Sequence, residues 1–238
     1  MTWSILARDD KGVFGAAIAS RFFAVGSLCV HTRRGVGAVS TQALMNPLYG
    51  PAALDLLAQG LAASEVVGAL IAPDDGRAQR QVHVLPLTGP AAASTGASCV
   101  DWCGHLAGDG FSVAGNMLAG PDVIEATAAA YVRTQGLPLA ERLLAAMEAG
   151  EAAGGDKRGK QSAALRIHAD EDYLALDLRV DDHADPLPEL RRLYAVSLER
   201  FQPFLSCLPG RGRPSGITDR AQIEAAIADF QQRRGSTS

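Results

Sequence analysis

Residues 13–20 are apolar on both sides of an extended chain, and that constrains the fold more than any other stretch of this sequence. Drawn as a strand, Val13, Gly15, Ala17 and Ala19 lie on one face and Phe14, Ala16 and Ile18 on the other. The stretch follows residues 2–8 after an acidic-glycine turn, Asp9-Asp10-Lys11-Gly12, which is short enough to force an antiparallel hairpin. An antiparallel sheet with one wet face alternates polar and apolar residues. This one does not alternate, so it needs cover on both sides.

The rest of the chain supplies candidates for that cover. A second hairpin is predicted from residues 26–32 and 36–42 around Arg33-Arg34-Gly35, then helices over 49–58 and 64–71 that end at Gly60 and Pro73. Two more strands, 81–87 and 91–96, precede a glycine-rich stretch, 99–120, read as loop. Gly120-Pro121 opens a helix with Pro at its first turn and Gly136 at its close, followed by an antiparallel helix over 139–149. Strands 161–168 and 173–180 and a helix over 187–201, stopped by Pro203, complete the pattern. Strands, two helices, strands, two helices, strands, helix is an α+β order. Two stacked antiparallel sheets with helices outside, a four-layer α-β-β-α sandwich, is the predicted fold. The domain is expected to span residues 1–208, with 209–216 as linker and 217–238 as a terminal helix and frayed tail, capped near Thr218 or Asp219.

Composition narrows the function classes. The formal net charge is −4 and the basic residues are scattered, which argues against a nucleic-acid partner. No segment has the length and apolarity of a membrane span, and acids appear by residue 9, so no secretory signal and a cytoplasmic location are expected. Four cysteines, Cys29, Cys99, Cys103 and Cys207, read as free thiols. Cys99-x-x-x-Cys103-x-His105 has metal-like spacing, but a closed zinc site needs a fourth ligand and no second pair stands nearby.

Thr2 carries the strongest chemical implication. Loss of Met1 leaves a threonine with a free α-amino group at the start of a strand. Such a residue holds nucleophile and base together: the hydroxyl attacks, and an amine of intrinsic pKa about 7.7–8.0 takes its proton. In the predicted hairpin Ser20 pairs nearly opposite this end, so Ser20 and Arg21 are placed beside the nucleophile.

Several motifs resemble, in order, the family catalogued as domain of unknown function 1028. They are the opening Thr-x-Ser-Ile-x-Ala-Arg-Asp, Ser20-Arg21-Phe22-Phe23-Ala24-Val25-Gly26, Thr41-Gln42-Ala43, and Asn46-Pro47-Leu48-Tyr49-Gly50-Pro51. Further along stand Gly115-Asn116-Met117-Leu118-Ala119-Gly120, the run from Gly154 to Ala163, and Asp177-Leu178-Arg179-Val180-Asp181-Asp182-His183. The resemblance implies the fold of the N-terminal nucleophile hydrolases, which is the α-β-β-α sandwich. It assigns no activity, since a shared fold does not fix chemistry.

Further candidates follow from residue chemistry. Arg21 suits a carboxylate, because its fork binds both oxygens. Thr41 and Gln42 end a strand where they could line the same cleft. The Asn116 amide has the character of an oxyanion donor. Asp156, Arg158, Gln161 and Ser162 lie in a glycine-opened loop suited to binding. Proteasome-type threonine enzymes use a lysine to activate the nucleophile; only Arg33 or Arg34 lies at a comparable position here.

The expected activity is hydrolysis of an amide-type C–N bond in a small molecule, carboxylated and metabolite-sized, through an acyl ester on Thr2. No cofactor and no metal are called for. Two alternatives stay open: a non-catalytic binding or assembly protein that keeps the fold, and a metal-dependent enzyme using Asp181-Asp182-His183. Self-association as a homo-oligomer is a further expectation.

Overall fold

The computed structural model describes residues 2–235. It is an α+β structure with two antiparallel sheets. The first hairpin joins β1 (Thr2–Arg8) to β2 (Phe14–Ser20) in the register Thr2↔Ser20 through Arg8↔Phe14. Every residue of β2 is buried, which is the outcome its two apolar faces require.

These strands sit in the middle of a six-stranded sheet, ordered β10-β9-β2-β1-β8-β7. Its other members are β7 (Trp102–Gly108), β8 (Phe111–Leu118), β9 (Ser162–His168) and β10 (Leu176–Val180). The second sheet is ordered β3-β4-β5-β6, from β3 (Val30–Arg33), β4 (Gly37–Ala43), β5 (Arg80–Pro86) and β6 (Ala92–Thr95).

Helices α1 (Tyr49–Ala58) and α2 (Ala63–Ile71) pack against β3, β4, β5 and β6. Helices α3 (Asp122–Arg133) and α4 (Leu139–Ala152) pack against β1, β2, β7, β8 and β9. One close approach explains a glycine in β2: a Cβ on Gly15 meets the Leu143 side chain of α4 at 2.5 Å. Inward-facing residues of the two sheets meet directly, β1 and β2 against β4, and β8 against β5. Part of that interface is apolar, with Leu6, Phe14, Ala16, Ile18, Val30, Ala38 and Leu85 in one buried cluster.

The stretch 99–120, read as loop, is instead the β7–β8 hairpin, and β8 pairs with β1 in the register Thr2↔Asn116. Gly110 makes the turn at φ 70°, while glycines within the strands serve close packing. A Cβ on Gly104 lands 3.0 Å from the Trp102 ring, and one on Gly115 lands 3.0 Å from the Trp3 Cβ. Smaller corrections concern helix ends. Pro121 is the N-cap residue of α3 rather than its first helical residue. Helix α5 (Pro186–Glu199) ends before Pro203, which lies inside the short helix α6 (Phe201–Leu205).

Two compact units divide the chain, Met1–Leu190 and Arg191–Ser238, so the division falls within α5, upstream of the 209–216 segment expected as linker. That segment is a closed turn, with a bridge between Gly210 and Arg213. Within the second unit, Asp219 caps α7 (Arg220–Gly235) by accepting from the Gln222 N–H at 2.9 Å. Gln231 donates to the Leu198 and Glu199 carbonyls. The frayed tail expected after Gly235 lies outside the described residues.

Candidate active site at the start of the first strand

Thr2 begins β1, flanked by Ser20 on β2 and Asn116 on β8. Its Oγ1 lies 3.1 Å from Ser20 Oγ, as the predicted hairpin register requires. Thr2 is 6% exposed, and that exposure opens on a cavity of about 410 Å³. Gln42, Asn116 and Arg158 line the same cavity, so four of the expected site residues meet there. Met1, whose removal frees the Thr2 amine, lies outside the described residues.

A buried chain of amides and hydroxyls supports Thr2 from the second sheet. Gln42 Nε2 donates to Gln81 Oε1 at 2.8 Å, and Asn116 Nδ2 donates to the same oxygen at 3.0 Å. Both amides also reach the Thr2 carbonyl at 3.4 Å. Gln81 is turned by its own Nε2, which donates to the Gly104 and Gly115 carbonyls at 3.0 and 2.8 Å. Behind Gln42, its Oε1 accepts from Ser4 Oγ at 2.7 Å, and Ser4 meets His83 Nε2 at 2.8 Å. Because the single Ser4 proton goes to Gln42, His83 Nε2 carries the hydrogen and Nδ1 accepts from Ser112 at 3.0 Å. Burial, reinforced by the nearby His105, pushes the His83 pKa down to about 3, so this imidazole is neutral.

The geometry revises Asn116. The two hydrogens of its amide face Gln81 and the Thr2 carbonyl, so it holds the threonine in place rather than awaiting an oxyanion. Thr41 points away from the cavity, on the opposite face of β4 from Gln42, and donates to the Asn46 carbonyl at 3.1 Å. Arg21, Asp156, Gln161 and Ser162 do not line the cavity either. Ser162 instead fixes the turn that carries Phe22 and Val25: it donates to the Phe22 carbonyl and accepts from the Val25 N–H. The buried Asp156 carboxylate accepts the Arg21 and Arg158 N–H groups, both at 2.8 Å. Arg21 Nη1 donates to the Arg158 carbonyl, and Gln161 reaches Asp182. Asp156 and Arg21 thus hold Arg158. Arg33 pairs with Asp55 at 2.9 Å, turned to helix α1 and not to Thr2.

Asp181, Asp182 and His183 are not brought together. Asp181 is bound by Arg179, Asp182 by Gln161, and His183 Nδ1 accepts from the Asp185 N–H. Among the described residues no three His, Cys, Asp or Glu side chains cluster as a metal site. Cys99 donates to the Arg80 carbonyl and Cys103 to the Cys99 carbonyl, while His105 meets Thr95; all four cysteines are free thiols.

Two supports escaped the sequence reading. Gln81 is one; it stands between Arg80 and Val82 in β5, and only its pairing opposite Gln42 gives it meaning. Asp74 is the other. Its carboxylate accepts from the Tyr49 hydroxyl at 2.6 Å and from Arg80 Nε at 3.1 Å, which together hold its pKa well below the usual carboxylate range. Arg80 continues to the Leu44 and Met45 carbonyls, so this cluster pins the cavity-lining segment 43–45.

Backbone strain concentrates at the same place. Among the described residues, four that are not glycine have left-handed φ: Ala24 (51°), Ala43 (68°), Asp101 (57°) and Met117 (54°). Ala43 and Met117 line the cavity, while Ala24 and Asp101 adjoin its residues Val25 and Val100. Such conformations cost on the order of 1–3 kcal/mol each and gather at functional sites.

A family model described as a family of unknown function, DUF1028, matches residues 2–190, and the chain belongs to that family. Protein SPO2555 from Silicibacter pomeroyi, also assigned to DUF1028, is 31% identical, with a TM-score of 0.85 over 92% of this chain and 96% of that one. Anbu (ancestral beta-subunit) from Yersinia bercovieri is 13% identical over 87% of this chain and 98% of that one, with a TM-score of 0.41. No curated protein matches the sequence. No helix among the described residues is long and apolar enough to cross a membrane.

Proposed function

We propose that this protein is an N-terminal-threonine hydrolase of amide-type C–N bonds in small molecules, with the four-layer α-β-β-α architecture of the N-terminal nucleophile hydrolases. One observation carries the reading: the hydroxyl of the first strand residue stands on the wall of a cavity, 3.1 Å from a second hydroxyl, with its carbonyl approached by amides from both sheets. The helices packed on the outer faces of two mutually contacting sheets support the layering.

In this mechanism Met1 is removed first. Thr2 Oγ then attacks the substrate carbonyl carbon while the α-amine takes the hydroxyl proton. The C–N bond breaks as the ammonium returns that proton to the leaving nitrogen. Water, deprotonated by the amine, attacks the acyl ester, and the proton passes back to Thr2 Oγ as the carboxylic acid departs. Ser20 orients the hydroxyl; Gln42, Asn116 and Gln81 fix the residue that bears it. The acids at Asp177–Asp185 face separate basic or polar partners, so a metal-dependent reading has no cluster to rest on.

Intact-mass measurement of the natural protein, followed by treatment with an electrophilic amide mimic, tests the reading. The expected result is loss of Met1 and one acyl adduct on Thr2. Retained Met1, or a matured terminus that takes no label, overturns it.

A further inference from the structure

The Thr2 cavity carries information about its occupant beyond the type of bond cleaved. Its wall is dominated by apolar side chains, and three of them are grouped in the open: Phe22 is 50% exposed, Leu44 60% and Val100 54%. They are held out by built structure. Ser162 fixes the Phe22 carbonyl, Arg80 the Leu44 carbonyl, and the Met117 N–H donates to the Val100 carbonyl at 3.1 Å. Grouped exposure of this kind marks a binding surface. Met45 and Met117 add unbranched thioethers, which adapt to flexible apolar ligands.

The charge on the wall is equally selective. Arg158 is the one cationic side chain lining the cavity among the described residues, and no carboxylate lines it. The two thiols there stay neutral: burial pushes Cys29 up to about 12 and raises Cys99 as well. Arg158 is held by Asp156, at 3.4 Å from its guanidinium, and by the N–H bond from its own backbone to the same carboxylate. A positioned guanidinium at the edge of an apolar cavity selects a carboxylate, whose two oxygens match its planar fork.

Resting on the Thr2 reading, we infer that the substrate class is an N-acyl amino acid with a medium-length apolar acyl chain. The acyl chain lies along Phe22, Leu44 and Val100, the amide carbonyl meets Thr2, and the carboxylate of the amine half meets Arg158. Hydrolysis consumes one water, breaks the amide C–N bond, and releases a fatty acid and a free amino acid.

Calorimetric titration of the full-length Thr2→Ala protein with N-octanoylglycine tests the site without using the reaction. Its folding is checked by circular dichroism and its mass by spectrometry. The expected result is saturable binding, at least about tenfold tighter than that of N-acetylglycine, which lacks the chain. Arg158→Gln in the same background is expected to weaken N-octanoylglycine at least about tenfold while leaving octanamide unchanged. No binding, equal binding of N-acetylglycine, or equal loss for octanamide overturns the assignment. Absence of binding together with a concentration-dependent dimer also overturns it, and identifies a second copy as the cover for the apolar rim. Since the variant lacks the nucleophile, these outcomes report on the cavity alone; labelling of Thr2 reports on the reaction.

Discussion

The interface between the two sheets has two halves built on opposite principles. On the β2 and β3 side, Phe14, Ala16, Ile18, Val30 and Leu85 interlock without a polar atom among their side chains. On the β5 and β8 side, Ser4, Gln42, Gln81, His83, Ser112 and Asn116 are as deeply buried, and each is hydrogen-bonded to another. Strand β1 is the frontier, with Leu6 in the dry half and Ser4 in the polar one. A satisfied buried network gains little stability over an apolar core of equal volume, but it fixes one geometry. Within this interface the dry half therefore contributes more to stability, and the polar half holds Thr2.

This division can be broken by substitution. Phe14→Ala is expected to cost about 4 kcal/mol in urea denaturation, from lost burial and the cavity left behind. The rate of Thr2 labelling by an electrophilic amide mimic is expected to stay within about twofold, provided it is measured where the variant is folded. Gln81→Leu is expected to cost about 3 kcal/mol, because it leaves the Gln42 and Asn116 donors and two strand carbonyls without their partner. Unlike Phe14→Ala, it is expected to slow labelling at least about tenfold. Equal labelling in the two variants would erase the distinction between the halves.

Acid sharpens the same contrast. The folded pKa of His83 is lowered to about 3 from an ordinary 6.5. Below pH 6.5 the unfolded chain takes up a proton that the folded one refuses. His83 therefore makes the protein less stable as pH falls from 6.5 toward 3, by at most about 1.4 kcal/mol per pH unit. Urea midpoints between pH 7 and pH 4 are expected to show a shallower fall in His83→Gln than in the natural protein; parallel slopes would contradict this. The smallest effect belongs to Arg33→Ala. Its half-exposed pair with Asp55 is expected to contribute less than about 1 kcal/mol, and Thr2 labelling is expected to be unaffected. A large loss of labelling would reinstate Arg33 as an activating residue.

The dry half was legible in the sequence and the polar half was not. Two-sided apolarity in residues 13–20 required a covered sheet, and the short turn before it fixed Thr2 opposite Ser20. By contrast, β7 and β8 were hidden by Gly104, Gly108, Gly110 and Gly115, which read as loop when strands are judged by side-chain pattern. The Asp109-Gly110 pair was a hairpin signal that could have revealed them, with Gly110 at φ 70°. Gln42 was found because it follows Thr41 at a strand end. Gln81 and Asp74 act only through partners distant in sequence, and no spacing announces them. Thr41 and Ser162 were misplaced for a related reason: each side chain serves the backbone of a neighbouring turn.

The four left-handed residues around the cavity bear on any attempt to retune it. Ala24, Ala43, Asp101 and Met117 act as fixed elbows, each bending a segment that glycine would leave slack. An engineer seeking a new specificity should therefore vary the outward side chains Leu44 and Val100 and leave the elbows alone. Glycine at an elbow would ease the main chain locally while surrendering the aperture it frames.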